Sequence, residues 1–121
     1  MSSTRKNAVT SSNDRQNLKM IWRVALIGLS HHDYALVAQE LEVGDELTLE
    51  PVMTNSYDQE AVAVKYEGEQ IGWLPAKEKA AKGIIYRMLR NDVDLRVKII
   101  SHDCSAGLDN RLYVGIYIRL A

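Results

Sequence analysis

The chain has 121 residues, 46% of them apolar and 26% charged, with a formal net charge of −1 and a single cysteine, Cys104. This is enough chain for one domain with a core of its own, and it excludes a disulfide scaffold. The longest purely apolar run, "VALIGL" at 24–29, is too short to cross a bilayer, and residues 1–17 lack the apolar stretch of a secretory leader, so a cytoplasmic domain with no membrane partner is expected.

The charge is unevenly spread. Residues 1–24 carry five bases against Asp14, a net of +4; residues 25–76 carry ten acids against Lys65, a net of −9; residues 77–98 return to +4. A basic face can therefore coexist with an acidic total.

In chain order, residues 1–17 ("MSSTRKNAVTSSNDRQN") are polar and without period, which predicts a disordered arm preceding a domain over 18–121. "KMIWRVALIGL" (19–29) reads as a strand covered on both faces. Residues 30–45 are ambiguous; Asp33 would cap a short helix with Tyr34, Val37 and Leu41 inward. "ELTLEPVM" (46–53) alternates with Leu47 and Leu49 inward. "AVAVKY" and "QIGWLP", separated by Glu67-Gly68, predict a hairpin on a tight glycine turn. After Pro75 the period changes to four. Ala80, Ile84 and Met88, with Ala81, Ile85 and Leu89 beside them, predict an amphipathic helix whose outer side carries Lys77, Lys82, Arg87 and Arg90. "VDLRVKI" (93–99) and "RLYVGIYIRL" (111–120) are alternating strands. About six strands and one main helix, mostly β, predict a small OB-like β-barrel with the helix bridging two strands.

No phosphate-cradling glycine loop is present, so an enzyme turning over nucleotides is not expected. "HHD" (31–33) and "SHDC" (101–104) hold the candidate metal ligands. Adjacent histidines on a strand diverge and no C-x-x-C pair exists, so no cofactor is expected; zinc on His31, His102 and Cys104, serving a metal-dependent hydrolase, is the alternative.

"GLSHH" (28–32) followed by "VGDELTLEPVMTNSYDQEAVAVKYEGEQIGWLP" (43–75) resembles the HIRAN domain over roughly residues 21–100. The order and spacing of "N-x-Y-D", "A-V-A-V" and "I-G-W-L-P" carry the resemblance. It implies a modified OB-like barrel. Members occur at the front of helicase-like ATPases that process stalled replication forks and also as stand-alone bacterial proteins, and the eukaryotic ones bind the 3′-hydroxyl end of single-stranded DNA. The resemblance makes Tyr57 the residue that stacks on the end base and Asp58 the acceptor of the 3′-hydroxyl, with Asn55 opening the motif. It places Ser30, His31 and His32 where eukaryotic members have an arginine and two aromatics. Trp73 takes an aromatic or imidazole position, and Lys77 falls near a phosphate-contacting lysine. Single-stranded DNA ends, and helicase or repair proteins, are the implied partners. Three positions depart: Ser30 for the arginine, Ser56 for a proline, and Glu60 for an asparagine that braces the loop.

The residues read alone are compatible. Tyr57, His31 and Trp73 offer π faces to bases without regard to sequence, and an aspartate repels phosphate while accepting from a hydroxyl. The competing reading has Asn55 and Asp58 bonding turn amides with Tyr57 packed over them. A second patch is expected on the last hairpin, where Arg96, Lys98 and Arg111 would contact a nucleic-acid backbone beside Tyr113, Tyr117 and Arg119. A protein-interaction barrel that does not bind DNA is the alternative function.

Overall fold

The computed structural model describes residues 17–53 and 60–120. Among them six strands form: β1 (Leu18–Ala25), β2 (Glu46–Val52), β3 (Ala61–Tyr66), β4 (Glu69–Trp73), β5 (Leu95–His102) and β6 (Leu112–Arg119). Two α-helices accompany them, the single turn α1 (Tyr34–Val37) and the long α2 (Lys79–Arg90). Every strand pairing is antiparallel, in the order β1-β6-β5-β2-β3-β4. Period-2 alternation sends Leu47, Val97, Ile99, Leu112, Val114 and Ile116 into one apolar core, all under 8% exposed. The expected mostly-β, OB-like architecture is what forms.

The two outer strands of this sheet meet at a seam. Ile27 N donates to Trp73 O at 3.0 Å and Trp73 N donates to Ile27 O at 2.9 Å. This joins the chain just past β1 to the end of β4, removing an exposed edge there. Two glycines make the approach possible. A Cβ on Gly72 would lie 2.8 Å from Ile27 O, and Gly28 turns the chain at φ +73° with Trp73 Cδ1 against it. The opposite end of the β3–β4 hairpin is the predicted tight turn: Glu67 and Gly68 both have positive φ, the type I′ combination that suits twisted strands.

Four expectations are corrected. β1 is not covered on both faces: it pairs only with β6 along its length, Met20 is 40% and Ile21 37% exposed, and a bulge at Ile21 shifts the register between Met20 and Trp22. Asp33 sits at the start of α1 without a side-chain cap bond; its carbonyl accepts from Leu36 N instead. Tyr34, Val37 and Leu41 are nonetheless buried as expected. On α2 the inward stripe is Lys82, Ile85, Tyr86 and Leu89, whereas Ile84 is 49% exposed and Ala80 lies outside. Lys82, expected on the solvent side, is 1% exposed, because its ammonium finds a carbonyl partner at Glu60 O, 2.6 Å away, where α2 packs on β3. At the last residue of the expected arm, the Asn17 carbonyl accepts from Leu120 N at 2.8 Å. The rest of the expected arm, residues 1–16, lies outside the described residues.

Candidate nucleic-acid interface

The seam organises a surface. Past the bridge, Gly28 starts a 3-10 turn (Leu29–His31) that buries Leu29 and leaves Ser30 and His31 exposed. His32 follows, and Trp73 Nε1 donates to His32 Nε2 at 2.7 Å, the rings meeting edge to face at 5.6 Å. An indole N–H only donates, so this His32 nitrogen carries a lone pair and the ring is the neutral Nδ1–H tautomer. Gln70 Nε2 approaches the same nitrogen at 3.4 Å. His32 thus brackets the half-buried Trp73 and fixes the orientation of its indole. His31 and Trp73, expected to share a platform, have different environments: one exposed on the turn, the other held at the seam.

Next to the bridge lies a cleft of about 670 Å³, between the end of β1, the start of β6, the 75–78 connection and the 3-10 turn Leu108–Asn110. Its walls carry Arg23, Ile27, Lys77, Asn110 and Tyr113, with Glu78 and Asp109 as the acids among them. The Arg23 guanidinium lies 4.8 Å from the centre of the Tyr113 ring, and Tyr113 Oη donates to Asn110 Oδ1 at 3.3 Å. A stacked cation and aromatic on one wall, with a lysine on another, suits a chain of bases and phosphates. Lys77 was expected here. Arg23 and Asn110 were not: alternation with the inward Val24 marks Arg23 as outward, but its place beside Tyr113 depends on the β1–β6 register, which pairs Arg23 with Gly115 and Ala25 with Tyr113.

The connection bearing the "N-x-Y-D" residues leaves the barrel at this same end. Val52 pairs with Ala61, and Leu74 N donates to Val62 O at 3.1 Å, so the exits of β2 and β4 are neighbours. Asn55, Ser56, Tyr57 and Asp58 lie outside the described residues. The far end of the connection, Glu60, is firmly held by α2: its carbonyl accepts from Lys82, and Arg87 Nη1 donates to its Oε2 at 3.2 Å. Gly83 lets the Glu60 side chain lie against the helix, because a Cβ there would come within 2.9 Å of Glu60 Oε1. At the position where the resemblance has a bracing asparagine, a helix-anchored glutamate provides the brace.

Two solved structures share this fold. A protein from Lactobacillus plantarum superposes with a TM-score of 0.69 at 16% identity, covering 84% of this chain and 94% of that one. The HIRAN domain of human HLTF superposes with a TM-score of 0.56 at 18% identity, covering 81% of this chain and 75% of that one. A search of curated proteins finds no match. The family model described as "HIRAN domain" matches residues 21–120. The chain belongs to the HIRAN domain family. That family is generally a DNA-binding one.

The remaining candidates distribute over this HIRAN barrel as follows. On its outer face Arg96 pairs with Tyr117 and Lys98 with Gly115 across β5 and β6, so the expected adjacency holds for these. Arg96 makes a two-pronged contact to Glu46, 2.7 Å at the shortest, and Arg119 donates to Asp94 at 2.9 Å. Arg111 does not join them; its guanidinium donates to Ala106 O at 2.8 and 3.1 Å and ties down the 103–111 loop. His102 is a structural residue. Its Nδ1 donates to Leu41 O at 3.1 Å, which leaves Nε2 to accept from Tyr34 Oη at 2.8 Å. Cys104 is exposed, its sulfur 3.7 Å from that same Nε2. His31, His102 and Cys104 do not assemble a metal site: among the described residues no three metal-ligating side chains gather. Burial, first, holds the Tyr34 phenol above its usual range, and hydrogen bonds from Ser105 hold the Asp103 carboxylate below its usual range. Among the described residues no helix is long and apolar enough to cross a membrane.

Proposed function

We propose that this chain is a non-enzymatic module that binds single-stranded DNA at the seam cleft and prefers a 3′-hydroxyl end, in the service of repair or replication-fork processing by helicase or repair proteins. The observation that carries the reading is the cleft itself: Arg23 stacked on Tyr113 on one wall, Lys77 on another, beside the exit of the connection that holds Tyr57 and Asp58. In it the cations take phosphates and Tyr113 presents a π face, with Trp73 held at the adjoining seam. Tyr57 stacks on the last base and Asp58 accepts the terminal hydroxyl, a role that a phosphate at that place would block by repulsion. Ser30 cannot clamp phosphate as an arginine would, and Arg23 supplies a guanidinium from β1 in its stead. The 18–121 segment is the binding unit, with the basic arm before it adding affinity that is independent of sequence.

Titration of a labelled oligonucleotide at two salt concentrations tests this. Two phosphates neutralised by Arg23 and Lys77 give a slope of log K against log salt of about −1.4, from about −0.7 for each phosphate of a single strand. Tyr113→Ala should weaken binding by about 1–3 kcal/mol, roughly five- to 150-fold, with the slope retained. Undetectable binding at low salt would leave the protein-interaction alternative standing.

A further inference from the structure

The outer face of the β1–β6–β5 sheet carries a feature that the cleft does not use. Tyr117 does not stand away from the sheet. Its Oη and Cε1 lie 2.9 and 3.1 Å from where a Gly115 Cβ would be, so the phenol folds back along β6 over a residue with no side chain. Met20 Cε reaches the same place from β1, at 2.8 Å, across the pairing of Met20 with Tyr117. The Lys98 ammonium is 5.8 Å from the Tyr117 ring centre. One row further along β6, Arg23 lies over Tyr113.

The strand therefore shows two tyrosines, each with a cation, four residues or about 13 Å apart, with only a glycine outward between them. Neighbouring charges decide which cations are available. Arg96 is committed to Glu46 and Arg119 to Asp94, whereas among the described residues Lys98 and Arg23 have only their tyrosines as partners. Arg23 and Tyr113 also line the cleft, so the two surfaces are continuous.

We infer that Tyr117, backed by Met20 and flanked by Lys98, is a second stacking platform, and that a single strand whose 3′ end sits at the seam runs through the cleft and out over β6 with its 5′ side on Tyr117. The inference rests on the cleft reading above and adds a footprint and a polarity to it. A tyrosine lying along a sheet beside an uncommitted cation matches a polyanion whose every unit has a π face. An acidic peptide shares the charge but not the stack, and base identity is irrelevant to both contacts.

Oligothymidylates with 3′-hydroxyl ends, in a series from about two to twelve nucleotides, separate the two surfaces, since one small barrel covers about 4–16 nucleotides. The expected result is affinity that climbs with length and then levels. Tyr117→Ala should lower the affinity of the longest oligomer at least fivefold and leave that of the shortest unchanged; Lys98→Gln should do the same more weakly. Because Tyr117→Ala uncovers Gly115 and can unsettle the sheet, the unaltered protein is also crosslinked to oligomers carrying 5-bromodeoxyuridine at each position in turn. Crosslinks to Tyr117 or Met20 from nucleotides on the 5′ side support the platform. Short oligomers that bind as tightly as long ones, or crosslinks confined to cleft residues, overturn it while leaving the cleft reading intact. Polyglutamate competing as well as an oligomer of equal charge overturns the choice of nucleic acid, and failure of every oligomer to bind overturns both readings.

Discussion

The two ends of the β3–β4 hairpin have opposite characters. At the turn end, Glu67 and Glu69 flank Gly68, and the Tyr66 phenol is held above its usual range by desolvation first and then by the carboxylates of Glu67, Asp45, Glu40 and Glu42. At the seam end, Lys77 and Arg23 line the cleft and Lys82 and Arg87 hold Glu60. One end is closed by a two-residue turn that needs only positive φ; the other is closed by a backbone bridge that needs two glycines. A net charge of −1 therefore conceals an uneven distribution, with carboxylates gathered around the turn end and both signs of charge present at the seam end.

Backbone closure should give the largest contrast. Gly72→Ala forces a methyl to within 2.8 Å of Ile27 O and 3.1 Å of Leu29 Cδ2, and should cost about 3 kcal/mol, at the upper end of overpacking. Gly68→Ala at the turn meets no atom and suffers only from its φ of +89°, about 1 kcal/mol. Thermal melts of the two variants should therefore differ clearly, and similar midpoints would mean that the seam is not a constraint on the barrel.

The buried lysine should come next. Lys82→Met leaves Glu60 O without its ammonium donor and should cost about 1–3 kcal/mol in denaturant unfolding. Lys65→Met removes only a half-exposed partner of Glu50 and should cost about 0–1 kcal/mol. Equal losses would place Lys82 among ordinary surface cations.

This is also where the limits of the sequence show. The hairpin turn, the alternating strands and the inward Tyr34, Val37 and Leu41 were legible, because each depends on local period or on turn chemistry. The face of α2 was legible only in part: Ile85, Met88 and Leu89 pack against the core as the period implies, but Ala80 and Ile84 do not. A four-residue repeat of Ala80, Ile84 and Met88 looks like a core stripe, and nothing local reveals that Lys82 has a carbonyl waiting on β3. The HIRAN motif pointed to Lys77, which lines the cleft; Arg23, which lines it too, carried no such signal, because its partner Tyr113 lies some ninety residues away and is reached only through strand register. His102 was misleading for the same reason: its two ring nitrogens are spent on Tyr34 and Leu41, distant in the chain.

Charge changes should give the smallest contrast. Lys77→Gln at the seam should weaken single-strand binding a few-fold and make the salt slope shallower by about 0.7. Glu69→Gln at the turn should change affinity less than twofold, since attraction between exposed charges beyond a Debye length of about 8 Å at physiological salt is largely screened. Comparable effects from the two would indicate diffuse attraction in place of a site.

The central claim is that the seam end recognises a strand terminus, and Asp58 tests it most directly. Fluorescence anisotropy with matched oligonucleotides, one ending in a 3′-hydroxyl and one in a 3′-phosphate, compares the unaltered protein with Asp58→Asn at one salt concentration. A charge-assisted hydrogen bond of about 1.5–3 kcal/mol predicts that the hydroxyl end binds at least tenfold more tightly, and that Asp58→Asn narrows the gap by relieving repulsion of the phosphate. Equal affinity of the unaltered protein for the two ends would contradict end recognition and return Asp58 to the role of a turn residue.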